Sequence, residues 1–117
     1  MATRILKQIT NPPVDGGYYI TEANLHLMNP GNLTFNVLIR VLTGTTVRGQ
    51  YLHELESVHS AKSSVVLYGI PLLYDDISFI IYTSVTGSHP LHIRLNILDV
   101  YHNEILRYTE DDFVMLG

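Results

Sequence analysis

Six histidines are the residues of this chain best suited to metal or proton chemistry: His26, His53, His59, His89, His92 and His102. A zinc site needs two or three of them on one point, and the helical protease pattern sets two of them four residues apart. No two here are four apart. His89, His92 and His102 lie at or near turn signals at the two ends of one strand-like segment. They read as surface histidines that gain charge in acid, and no metal is expected. The carboxylate clusters, Asp75-Asp76 and Glu110-Asp111-Asp112, could offer loop oxygens to calcium. The commoner use of Asp is to shape turns and guard strand ends, and that use is expected here. Ser60, Ser63 and Ser64 have no Gly-x-Ser-x-Gly frame, and no glycine-rich phosphate loop exists. Cysteine is absent, which removes disulfides, thiolate metal sites and thiol nucleophiles together. No catalytic residue, no cofactor-binding residue and no cofactor is expected.

The composition narrows the field further. At 117 residues the chain fits one domain with one core. Apolar residues make up 46%, too many for a disordered chain. Charged residues make up only 15%, so Ser, Thr, Asn, Gln and Tyr must cover much of the surface. A weakly charged surface suits a chain that packs against copies of itself. The net charge is −4, and the seven Lys and Arg are scattered, so a nucleic-acid partner is not expected. No apolar run approaches the length of a membrane span, and no secretory signal peptide is visible. Membrane insertion is not expected.

The elements that must position all this are strands. Leu33, Phe35, Val37, Ile39 and Val41 alternate with Thr34, Asn36, Leu38, Arg40 and Leu42, which is strand periodicity. Asn29-Pro30-Gly31-Asn32 turns the chain before that run. Residues 18–28, 63–68, 77–86, 91–100, 104–109 and 113–116 read the same way. Residues 47–55 form a poorer strand, with 52–60 as the single helical candidate. About eight strands at this spacing indicate an all-β, jelly-roll-like sandwich of antiparallel strands with an N-terminal extension. Leu38, Leu42, Ile80, Tyr82, Leu98 and Val100 stand opposite the core-facing residues. An outer face that apolar is expected to be covered, by the chain's own loops or by another subunit.

The extension is the segment most open to function. Ile5, Leu6, Lys7, Gln8, Ile9 and Thr10 form a short strand-like run. Asn11, Pro12, Pro13, Val14, Asp15, Gly16 and Gly17 follow as a cluster of breakers. This divides the chain into an arm and hinge, 1–17, and a sandwich domain, 18–117. Pro12, Pro13, Gly16 and Gly17 are the expected hinge residues. The arm is expected to be ordered only in a neighbouring copy, as an added strand. In an extended arm Ile5 and Ile9 face one side and Leu6 the other, so Ile5 and Ile9 are the expected anchors.

With the arm 5–10, the hinge 11–17 and the strand series 18–116, the whole chain resembles the small jelly-roll subunits of bacterial endospore appendages. Many members of that family carry cysteines that staple neighbours together, and this chain has none. The resemblance implies a non-covalent, non-enzymatic fibre on a spore or cell surface. Its partner is the chain itself, with an anchoring protein as a possible second partner. Two alternatives stand beside it: a glycan- or calcium-binding module using Asp75, Asp76 and turn loops, and a phage or virion protein that closes into rings.

Overall fold

The computed structural model describes residues 1–116. Its strands are β1 (Ala2–Thr10), β2 (Pro13–Val14), β3 (Gly17–Tyr18), β4 (Glu22–Met28), β5 (Phe35–Thr43), β6 (Thr46–Leu55), β7 (Ser64–Pro71), β8 (Asp76–Thr83), β9 (His92–Leu98), β10 (Glu104–Thr109) and β11 (Val114–Leu116). A single 3₁₀ turn, Glu110–Asp112, separates the last two. Two antiparallel sheets pack as a jelly-roll-like sandwich. One has five strands in the order β11-β1-β8-β5-β6, the other four in the order β10-β9-β4-β7. The all-β reading of the sequence holds.

The alternation explains the layers. Val37, Ile39 and Val41 of β5, Ile77, Phe79 and Ile81 of β8, Ala23, Leu25 and Leu27 of β4, and Ile93, Leu95 and Ile97 of β9 are all buried. They meet in one core between the sheets. Each fully buried Leu, Ile or Phe contributes roughly 1.5–3 kcal/mol. Because the strands are antiparallel, the loops gather at two ends. One end holds residues 29–34, 56–63 and 84–91. The other holds 11–21, 72–75 and 99–103.

Several expectations shift at the margins. Leu33 is 60% exposed, not inward, because Asn29 holds the turn and takes the Leu33 carbonyl on its Nδ2 at 2.7 Å. The helical candidate 52–60 is strand as far as Leu55, paired along its length with β5. Gly69-Ile70-Pro71 does not break β7. A bulge between Ala23 and Leu25 absorbs it, with Gly69 at φ +66°. Val100 lies in a turn and not on a sheet face.

The expected division at residue 17 needs correction. Residues 2–10 are not a separate arm in this structure but the second strand of the five-stranded sheet, hydrogen-bonded to β8 on one side and β11 on the other. The reason is burial. Without β1, the edge of β8 would be open and the core beneath Phe79 and Ile77 uncovered; the chain's own first strand supplies Leu6 and Ile9 to close it. Nor are Pro12, Pro13, Gly16 and Gly17 a slack hinge. They belong to a small hairpin, Pro13 opposite Tyr18 and Val14 opposite Gly17. Asp15 at φ +46° and Gly16 at φ +80° make its two-residue turn, the Asp-Gly combination that hairpins favour.

Candidate functional site

The anchors of the first strand differ from those expected. The register slips between Leu6, opposite Phe79, and Ile9, opposite Ile77. Three steps on β1 match two on β8, which is a β-bulge. Gln8 takes the left-handed φ of +58° that the bulge requires. The alternation therefore inverts at Lys7-Gln8. Leu6 and Ile9 both face the core at 7% and 5% exposure, while Ile5 is half-buried on the outer face. Ile9 remains an anchor; Ile5 does not, and Leu6 takes its place. Lys7, Gln8 and Thr10 are exposed.

Both ends of β1 are fixed by polar groups. Arg4 is buried, and its guanidinium donates to the His89 carbonyl at 3.0 Å and to Thr83 Oγ1 at 3.4 Å. Burial lowers its pKa from the ordinary arginine value. Asn11 is 1% exposed and acts as a peg. Its Nδ2 donates to the carbonyls of Ile20 and Leu72 at 2.9 and 3.0 Å, and its Oδ1 accepts from Ile20 N at 2.7 Å. Its own N–H donates to the Asp75 carbonyl at 2.9 Å. The ladder and hydrogen-bonding partners of residues 2–11 all lie at residue 20 or beyond. The strand thus sits in its groove as a discrete insert, joined to the rest through the hairpin at 12–19. Sequence reading missed Asn11 as the lock, although an Asn before Pro-Pro is a polar side chain with a fixed backbone beside it.

The outer face of the five-stranded sheet is the second feature. Cross-strand registers place Leu116, Thr3, Tyr82, Leu38 and Leu52 in one row across all five strands. The next row is Val114, Ile5, Ile80, Arg40 and Gln50. Leu52 is 69% exposed, Val114 63% and Leu116 52%. Of the apolar outward residues expected from the sequence, Leu38, Leu42, Ile80 and Tyr82 lie here. A shallow depression of about 350 Å³ runs over Leu38, Leu52 and Tyr82. Arg40 folds down onto it, 5.4 Å from the Tyr82 ring centre, with its Nε donating to Gln50 at 2.9 Å.

A third feature is a cleft of about 410 Å³ at the loop end that carries the hairpin. Val14, Tyr19, Leu73, Val100 and Tyr101 line it together with Asp15 and Asp99. Asp99 is partly committed, since its Oδ1 accepts from the N–H groups of Tyr101 and Asn103 at 2.9 Å.

The remaining chemistry-bearing residues are spoken for or dispersed. Asp75 accepts from the Tyr18 hydroxyl at 2.8 Å, and that bond raises the Tyr18 pKa. Asp112 caps Thr109 N at 2.7 Å. His92 Nδ1 lies 3.0 Å from Glu110, and His102 pairs with Glu22. The His89 ring packs edge-on against Phe35. Among the described residues no three His, Asp or Glu side chains are grouped so as to hold a metal ion, and no helix is long and apolar enough to cross a membrane.

No family model matches the chain, and no curated protein matches it in sequence. Among solved structures, the crystal structure of Thermotoga maritima 1070 is similar at 25% identity, with a TM-score of 0.51. The likeness covers 92% of this chain and 88% of that one. The likeness runs over nearly the whole of both chains and bears on the fold.

Proposed function

We propose that this chain is a non-enzymatic structural subunit whose copies join by exchanging the first strand, building a non-covalent fibre on a cell or spore surface. The observation that carries the reading is the self-contained way residues 2–11 occupy their groove. All their bonds run to residues from 20 onward, so a neighbour's strand would make the same bonds. Leu6 and Ile9 would fill the same core positions, Arg4 would reach Thr83 and His89, and Asn11 would peg Ile20 and Leu72. The connection at 12–17, opened from its hairpin, spans roughly 20 Å when extended. That is long enough to carry the strand into an adjacent body. Exchange exposes little new apolar surface and breaks few bonds besides the hairpin's own, the condition under which strand swapping costs little. A chain of such exchanges that does not close on itself is a filament; one that closes is a ring. The resemblance to spore-appendage subunits favours the open form.

The test uses the absence of native cysteine. Thr10 and Asp76 are opposite each other in the β1–β8 ladder. A Thr10→Cys/Asp76→Cys variant, oxidised in the assembled state, traps whichever strand occupies the groove. Ladders of linked chains on a non-reducing gel support exchange. Single chains with an internal bond would show that each copy keeps its own strand, and the reading would fail.

A second reading is favoured by the loop-end cleft. Tyr19 and Tyr101 offer exposed ring faces, and Asp15 offers a carboxylate acceptor, a combination that suits a sugar ring. This moves the expected glycan site from Asp75 and Asp76 to the neighbouring loops. Saturation-transfer NMR against neutral oligosaccharides, with Tyr101→Ala as the control, would detect it.

A further inference from the structure

We infer that the outer face of the five-stranded sheet is a self-pairing surface, covered by the same face of a second copy about a two-fold axis running along β8. Three observations lead there. First, the row Leu116–Thr3–Tyr82–Leu38–Leu52 ends in leucines at both edges of the sheet, and both are more than half exposed. Among the described residues no loop covers them.

Second, β8 is the middle strand of the five. A two-fold axis parallel to it lays β11 over the partner's β6, β1 over its β5, and β8 over its own counterpart. Leu116 then meets the partner's Leu52, Thr3 meets the partner's Leu38, and the Tyr82 rings meet at the axis. In the next row the Ile80 side chains meet on the axis, and Val114 falls opposite the partner's Gln50. Ile5 faces the partner's Arg40, whose guanidinium already lies over a ring and bonds Gln50. No like charges are brought face to face within these two rows. A partner of another fold would have to reproduce this pattern; a second copy does so by symmetry, as an isologous contact requires.

Third, the size is adequate. Five strands about 4.8 Å apart, and three outward rows about 7 Å apart when Leu42 opposite Ser78 is counted with the two above, give a patch of roughly 400–500 Å² in projection. With side-chain relief each copy would bury on the order of 600–800 Å², the lower range of stable interfaces.

The pairing does not depend on where the first strand comes from, since the rows are the same whether β1 is the chain's own or a neighbour's. Failure of one reading therefore leaves the other standing.

The experiment is sedimentation of the full chain, carrying the Thr10→Cys/Asp76→Cys report on strand exchange separately. The wild-type protein is expected to pair in the micromolar range. Leu52→Glu places a carboxylate at each end of the patch, on a side chain already exposed enough to leave folding intact. It should weaken pairing by about tenfold or more. Tyr68→Glu, on the outer face of the other sheet and 77% exposed, should leave pairing unchanged. The axis is tested by Tyr82→Cys: a short bifunctional thiol reagent that spans the roughly 10 Å between packed sheets should link two copies rapidly, whereas it should not link those of Tyr68→Cys. A wild-type chain that stays monomeric at high micromolar concentration would overturn the inference. So would pairing indifferent to Leu52→Glu in a variant whose circular dichroism is native, or linkage through position 68 as fast as through position 82.

Discussion

The two sheets of this sandwich present opposite outer faces. On the five-stranded sheet, Leu38, Leu52, Ile80, Tyr82, Val114 and Leu116 stand outward among Thr3, Arg40 and Gln50. On the four-stranded sheet, β4 turns Glu22, Asn24 and His26 outward, and β9 turns out His92, Arg94 and Asn96. Most of them are paired, although Asn96 Oδ1 is buried without a hydrogen-bond partner. His92 meets Glu110 at 3.0 Å, Arg94 reaches His26 at 3.4 Å, and Arg107 from β10 holds Glu104 at 2.7 Å. Asn24 accepts from Gly69 N at 3.0 Å. The inner faces of the two sheets are alike, because both line one core. The outer faces differ in that the polar side chains of the four-stranded sheet are largely paired with one another. The lesson is that an antiparallel sheet need be apolar on one side only; where the second side is also rich in apolar residues, a further contact is the proposal to test.

Four experiments would break or sharpen that contrast, and they are ordered here by the size of the effect. Deleting residues 2–10 should abolish cooperative folding, because it removes Leu6, Ile9 and an inner strand from the apolar sheet. Two buried side chains at roughly 1.5–3 kcal/mol each, with the ladder bonds, approach a typical domain's whole stability. A thermal melt followed by circular dichroism checks this. A truncated chain that still melts cooperatively would show that the sheet does not need β1. Adding a peptide of residues 1–11 should restore the transition if the groove accepts a strand in trans.

Asn11→Ala comes next. It leaves Ile20 N and the Ile20 and Leu72 carbonyls without their buried partner, at a cost of about 2–4 kcal/mol. Urea denaturation should show the midpoint fall with an unchanged slope. A change within experimental error would mean that water replaces the peg.

The third compares Leu52→Glu and Tyr68→Glu directly. Both positions are well exposed, so each should alter stability by no more than about 0.5 kcal/mol. Only the first should alter sedimentation. If both or neither do so, the faces are not functionally different.

The smallest effect lies on the polar face. Burial pushes the Glu110 carboxyl up, but the bonds from His92 and from backbone N–H groups outweigh it, and its pKa is held below the ordinary value. A carboxyl depressed in the folded state adds stability above its unfolded pKa of about 4.3 and loses it as the pH falls through the folded value. Because Glu110 is partly exposed, the contribution is no more than ~0.5 kcal/mol. Melts between neutral and acid pH should therefore converge for wild type and Glu110→Gln only at the acid end. Curves that run parallel throughout would rule out the Glu110 hydrogen bonds as a pH-dependent contribution.

Much of this was written in the chain. Period-two alternation with β-branched residues leaves little choice but strands, and turn residues at short intervals fold them into sheets. That is why Phe35, Val37, Ile39 and Val41, and likewise Ile93, Leu95 and Ile97, could be assigned to the core before any coordinates. The doubly apolar strands at Leu38 and Tyr82 were legible for the same reason. The destination of the first strand was not. Ile5 to Thr10 looks the same in sequence whether it lies beside β8 of its own body or of another, because ladder bonds are made by backbone and carry no address. The bulge at Lys7-Gln8 was equally hidden. Alternation counts residues, and only the pairing with Phe79 and Ile77 shows that one must be skipped. Nor could spacing reveal that Leu116, Thr3, Tyr82, Leu38 and Leu52 share a row, since they come from five strands scattered over the whole chain. Local pattern determined which residues form strands and which side of each strand is apolar. Tertiary structure alone decided which strands are neighbours, because pairing partners are chosen by the joint closure of one core and not by any segment by itself.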